Sequence, residues 1–258
     1  MSDSASEPAE AAAVKDDVKT STELHPAIRV VGMILAGVVA TGLCYVAIAS
    51  VGEVYPTPPE VLSLGGRPTE AELAAANSAR LAANTGNAMV WLGVCGSILG
   101  GILSLSHGVL QRTGSKVAIG ILAGVLAGAG LGLLSGKLAV SSHASVTATL
   151  HGDHSQSANS NSEQQSMMMH GMTWGLIGVG VGLGCGFSCR TIDARQVIIL
   201  IIVAGAMGCV GGGVYPIVAG VAAPLASSAI PVAPAGVARA VWMGLASVLM
   251  AVGVGRTS

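Results

Sequence analysis

Between Val117 and Val140 glycine recurs at Gly120, Gly124, Gly128, Gly132 and Gly136, five times at a spacing of four. On an α-helix these positions share one face, so they form a groove without side chains. In a water-soluble helix each interior glycine costs roughly 1 kcal/mol relative to alanine. In a bilayer the same groove lets a second helix backbone approach closely and gain dispersion contacts. The feature therefore points to an all-α membrane protein whose glycine-rich helices pack closely.

Composition agrees with that class. Of 258 residues 52% are hydrophobic and only 10% charged, where soluble domains average about 25% charged residues. The net charge of −1 leaves no basic footprint for nucleic acid. Apolar runs long enough to cross roughly 30 Å of hydrocarbon are expected at about 28–51, 88–106, 117–139, 170–189, 196–215 and 237–254. These six spans make 27–256 a multi-pass membrane domain behind a polar tail, 1–26, expected to be disordered and cytoplasmic. The run from 28 is too long for the apolar region of a usual signal peptide and reads as an uncleaved anchor.

The connections differ in character. Residues 53–86 form an outer loop in which Thr69 and Glu72 make a capping-box signature for a short helix over 70–84. Residues 141–169 carry Ser, Asn, Gln, His and Met without Lys or Arg, and read as a disordered outer loop. Pro216 is expected to interrupt the fifth span. Pro224, Pro231 and Pro234 keep 217–236 from being one regular helix, which leaves a surface segment or a re-entrant one.

Charge sets the expected orientation. Lys15, Lys19, Arg29, Arg112, Lys116, Arg190, Arg195 and Arg256 fall on one side of this topology. The positive-inside rule makes that side cytoplasmic, with both termini there, and a plasma (inner) membrane location follows. Tyr55, Trp91, Trp174, Tyr215 and Trp242 then all lie near the outer ends of spans and are expected to be interfacial anchors. Met89-Val90-Trp91 and Met172-Thr173-Trp174 each open a glycine-rich hairpin, a hint of an internal repeat that would be a parallel one, although Val-Tyr-Pro at 54–56 and 214–216 has a different offset.

Further glycine rows, at Gly96 and Gly100 and at Gly178, Gly182 and Gly186, supply partners for the first. Together they make a glycine-zipper packing set of the GxxxG type. Gly178 to Gly186 spells GxGxGxGxG, which resembles the inner helix of the rotor-ring subunit of rotary ATP synthases. The resemblance covers nine residues, and the next helix lacks that family's membrane-buried carboxylate. It implies shared close packing and transfers no function.

No span carries Asp or Glu near its middle, which argues against carboxylate-coupled ion movement. His151, Asp153, His154 and His170, with Met167 to Met169 nearby, combine imidazole and thioether and would suit copper or another soft metal. The bland reading is a polar loop whose methionines begin the next span. No other cofactor is implied, and no nucleophile elbow, HExxH or dinucleotide fingerprint appears, so no enzyme is expected. The five cysteines lie in or beside apolar runs and read as small packing residues.

The expected function is therefore an integral membrane protein of structural or interaction type, with the lipid bilayer, a second copy or another membrane subunit as partner. A small-solute or ion channel or transporter is the alternative, and an outer-facing metal-binding membrane protein a further one.

Overall fold

The computed structural model describes residues 24–62, 68–150, 157–224, 230–234 and 236–257. Among these, all regular structure is helical: α1 (Pro26–Val51), the one-turn α2 (Pro59–Leu62), α3 (Glu70–Leu110), α4 (Lys116–Leu150), α5 (Ser157–Phe187), α6 (Ala194–Ala222) and α7 (Val237–Thr257). Helix boundaries follow local chemistry. Pro26 occupies the first turn of α1, where its missing N–H costs nothing, and Gly52 closes the helix at φ +60°. Asp193 caps α6 by accepting from Arg195 N at 3.2 Å. Gly114, at φ +61°, permits the tight turn between α3 and α4.

Five helices are long and apolar enough to cross a membrane: 26–51, 70–110, 116–143, 194–222 and 237–257. The expected span at 170–189 is not among them, because polar His170 and Thr173 and its many glycines dilute its apolar content. Its surroundings account for this. Val181, Ile177 and Trp174 are fully buried, and α5 exposes no large apolar side chain from 173 to 187. It lies between α4 and α6 and against α3. By contrast, α1 exposes Leu35, Val39 and Val46, α4 exposes Leu122 and Leu126, and α6 exposes Ile202 and Val221. Such an apolar outer surface suits lipid and not water.

Neighbouring helices run antiparallel, and the six long ones close into a bundle in which α7 returns to pack on α1. Between α3 and α4 the contact is backbone on backbone. A methyl group added to Gly96 would fall on the Gly128 carbonyl, and one added to Gly100 on that of Gly124. Gly132 and Gly136 sit equally close to the carbonyls of Leu92 and Ala88. The α5–α6 hairpin uses the same arrangement, with Gly178 and Gly182 against the carbonyls of Ala204 and Leu200, and Gly208 and Gly212 against those of Trp174 and His170. In this correspondence Trp174 matches Leu92 and not Trp91, so the Met-x-Trp alignment is out of register by one residue. The hairpins pack on each other where Gly180 and Gly184 approach the backbone at Gly128 and Gly124. Gly186 meets Val197, and Gly120 meets Ser188. Every glycine of the expected packing rows thus faces a helix of the same chain.

Polar side chains link the remaining pairs. Thr41 of α1 and Ser247 of α7 share a hydroxyl–hydroxyl hydrogen bond; one hydroxyl donates to the other, which donates to a carbonyl of its own helix, Gly37 O or Met243 O, at 2.8 Å. The end of the bundle holding 111–115 and 188–193 is clasped by His107 Nδ1 and Ser188 Oγ at 2.8 Å, and by Lys116 Nζ donating to Arg190 O at 2.6 Å. The starts and ends of the outermost helices meet at this same end, where Gly255 packs on Val30.

Several expected breaks are absent. The short helix over 70–84 and the span from 88 are one 41-residue helix, because the polar residues at 84–87 include no proline and Asn87 bonds outward instead of to its own backbone. At 1.5 Å per residue that helix is roughly 60 Å long, about twice the hydrocarbon thickness. The expected disordered loop 141–169 is largely helical, running to Leu150 and resuming at Ser157. Ser141 and Ser142 bond back to the carbonyls of Lys137 and Leu138 at 2.9 and 2.8 Å, so their hydroxyls extend the helix and do not compete with it. Pro216 lies inside α6, which continues to Ala222. The carbonyl that its ring opposes belongs to Gly212, which is itself held against the His170 carbonyl by the packing of α5 on α6. The tail to residue 23 lies outside the described residues.

Replacing Gly128 by Ala should lower stability by about 1–3 kcal/mol through overpacking on backbone that has no rotamer to yield. Gly130→Ala, where nothing lies within 4 Å, should leave it unchanged or raise it. Thermal unfolding of both variants in detergent separates the two outcomes. Equal effects would contradict the contact assignment.

Candidate functional site: an end cavity above a buried ring cluster

The end of the bundle opposite the His107–Ser188 clasp contains a cavity of about 780 Å³. Its polar lining comes from Glu53, Asn77, Arg80, Asn84 and His143, and its apolar lining from Leu81, Trp91, Val140 and the segment 230–232. Asn77, Arg80 and Asn84 lie about one turn apart, so the N-terminal extension of α3 presents them as a ladder. Thr69 caps that extension. Its N–H and Oγ donate to Glu72 Oε2 at 2.7 and 2.9 Å, and Glu72 N–H returns to Thr69 Oγ1 at 3.3 Å. Backbone and hydroxyl hydrogen bonds from Thr69 hold the Glu72 carboxyl below the usual carboxylate range. The capping contribution is therefore present above the ordinary carboxylate pKa and is lost as pH falls through the lowered value.

The cavity wall is fixed by two side chains. Asn87 Oδ1 accepts from Val54 N and Tyr55 N, both at 2.9 Å, while its Nδ2 donates to Tyr55 O at 2.9 Å. Trp91 Nε1 donates to Gly52 O at 2.7 Å. Arg239 stands 6.0 Å from the Trp91 ring centroid and donates through Nε to Ala233 O at 3.2 Å, tying 230–234 to the same wall.

Below the cavity lies a second cluster. His170, Trp174, Tyr215 and Trp242 are all fully buried. His170 Nδ1 accepts from Trp242 Nε1 at 3.0 Å, which places the neutral ring's proton on Nε2. The His170 ring meets Tyr215 edge-on at 4.9 Å, and Trp174 meets Trp242 at 5.0 Å. His170 and Trp174 are one helical turn apart, and Gly208 and Gly212 of α6 leave the space their helix needs.

This arrangement corrects two expectations. Trp174, Tyr215 and Trp242 are not interfacial anchors but core side chains, fully buried where they pack on His170 and on one another between α5, α6 and α7. Tyr55, just beyond the end of α1, stays half-exposed, and Trp91, midway along α3, is partly buried. The expected metal set loses His170, which is buried and already engaged with Trp242, while His151, Asp153 and His154 lie outside the described residues. Among the described residues no group of three or more His, Cys, Asp or Glu is placed to hold a metal. Sequence reasoning missed the cavity residues Asn77, Arg80 and Asn84. Their spacing on an alanine-rich helix was the available signal.

Comparisons with protein-family models, with curated protein sequences and with solved structures found no match to this chain. The functional reading therefore rests on its residues.

Changing Asn87 to Leu removes the acceptor that, among the described residues, serves the N–H groups of Val54 and Tyr55. Each such loss is worth about 1–3 kcal/mol. Amide hydrogen exchange at these two residues should accelerate at least about tenfold. Unchanged protection would show that the wall is held otherwise.

Proposed function

We propose that this chain is a multi-pass membrane protein that receives a small carboxylate-bearing solute in the cavity at the end of its bundle. The carrying observation is the cavity itself, about 780 Å³, lined by Arg80 and Leu81, by Trp91 three turns further along the same helix, and by Glu53. A guanidinium recognises a carboxylate in paired hydrogen bonds, and an aromatic and aliphatic wall suits a short carbon chain. Beneath it the ring cluster and Leu92, Met243 and Met250 are fully buried. That dense floor favours a binding role over an open pore, and we assign the protein no catalytic step.

In this reading the chain crosses the membrane six times, with α5 as the interior crossing. Arg29, Arg112, Lys116, Arg190, Arg195 and Arg256 gather at the clasped end, which faces the cytoplasm of a plasma membrane. The cavity then opens outward. The glycine rows hold this one chain together, which is the form the structural reading takes. They are spent on internal contacts and offer no groove to a second copy.

Sidedness and binding are tested together. With the native cysteines replaced, a membrane-impermeant maleimide should label Asn84→Cys in intact cells and leave Ser115→Cys unlabelled. In detergent, one member of a panel of small mono- and dicarboxylates should raise the unfolding temperature of the native protein. Arg80→Ala should weaken that effect at least about tenfold, as expected for loss of a charge-assisted contact. Labelling from the opposite side, or no carboxylate effect, would overturn the proposal.

A further inference from the structure

Two buried donors in the ring cluster have no protein partner. Trp174 Nε1 and Tyr215 Oη are each inaccessible to solvent and make no hydrogen bond. An orphan donor in a dry interior costs about 1–3 kcal/mol, and membrane interiors supply no stray water to relieve it. Buried polar groups of this kind are normally served by an internal water or a bound ligand.

Both donors belong to one place. Trp174 Cδ1, the atom bonded to Nε1, lies against Gly212 of α6; Tyr215 stands three residues further along α6 with its ring 4.9 Å from that of His170, one turn before Trp174 on α5. Trp242, the third ring, is already satisfied through His170. The place also adjoins the cavity. Trp242 follows one turn after Arg239 on α7, and Arg239 stands over the cavity-lining Trp91, so α7 joins the ring cluster to the cavity wall.

We infer that Trp174 Nε1 and Tyr215 Oη form a buried receptor for one hydrogen-bond-accepting oxygen at the inner limit of the end cavity. The oxygen comes from a single internal water or from the carboxylate of a solute lodged above. A phenol hydroxyl and an indole N–H donate without carrying charge, so the receptor takes an oxygen acceptor and gives no attraction to a cation through these two groups. Only the second source rests on the solute reading of the cavity.

The test uses the full chain, labelled with ¹⁵N-tryptophan, in phosphatidylcholine nanodiscs. The three indole N–H resonances are assigned with Trp91→Phe and Trp242→Phe. In plain buffer an internal water predicts a magnetisation-transfer peak between the Trp174 indole proton and water, and a change in that resonance on Tyr215→Phe. If no water peak is seen and the resonance moves saturably when acetate or succinate is added, the oxygen is the solute's. Both results support the receptor and separate its sources. A water peak with no response to either carboxylate keeps the receptor and counts against the solute reading. A Trp174 resonance at the position of an unbonded indole in every condition, unmoved by Tyr215→Phe, would overturn the inference. Where the water peak or the carboxylate response is seen, a Tyr215→Phe protein that unfolds at the same or a higher temperature under that same condition would overturn it as well, since the hydroxyl would then have had nothing to hold.

Discussion

Direct backbone contact between α3 and α4 is the constraint on which the rest of the bundle depends. Where Gly96 and Gly100 lie on the carbonyls of Gly128 and Gly124, no side chain separates the helices. Dispersion between closely apposed backbones replaces the hydrophobic effect, which is weak between helices already surrounded by lipid. That closeness draws in α5, because Gly180 and Gly184 then reach the same α4 backbone from the other side. A helix surrounded this way has no need of a lipid-facing surface. The low apolar content of α5 follows from its place in the bundle.

Tight packing on one side leaves volume on the other. The helices α5, α6 and α7 enclose space that is filled by Trp174, Tyr215, Trp242 and His170, the largest concentration of rings among the described residues. Their polar atoms are then carried into the interior, where each requires a partner. The His170–Trp242 bond meets that requirement within the protein. Close glycine packing, a central aromatic cluster and an end cavity above it are thus one chain of consequences.

The architecture was legible where a single period governed it. Glycine at every fourth position identifies helix faces without reference to anything distant, and the rows read from sequence are the faces that touch. Termini of elements were less legible. Thr69 and Glu72 correctly announced a helix start, yet nothing local says that α3 continues unbroken past Asn87, because the bonds from that side chain to Val54 and Tyr55 are tertiary. Pro216 likewise signals a break, yet α6, packed against α5 and α7, runs on to Ala222. The aromatics were the least legible. A tryptophan near the end of a span suits an interface and a core alike, and the rings it packs on from other helices decide between them. The cavity combines segments from 53 to 232 and could not be read from any one of them.

The central claim is that the α4 glycine groove is filled by α3 of the same chain. Cysteines at Gly101 and Val125, where an added β-carbon would lie 3.0 Å from Val125 Cγ2, test it most directly in a protein stripped of its native cysteines. Light and ¹⁵N-labelled chains are mixed before membrane reconstitution, oxidised, and the linked peptides weighed. Linked peptides that are wholly light or wholly heavy are the predicted result. Peptides pairing one light and one heavy half would place the contact between chains and contradict the account.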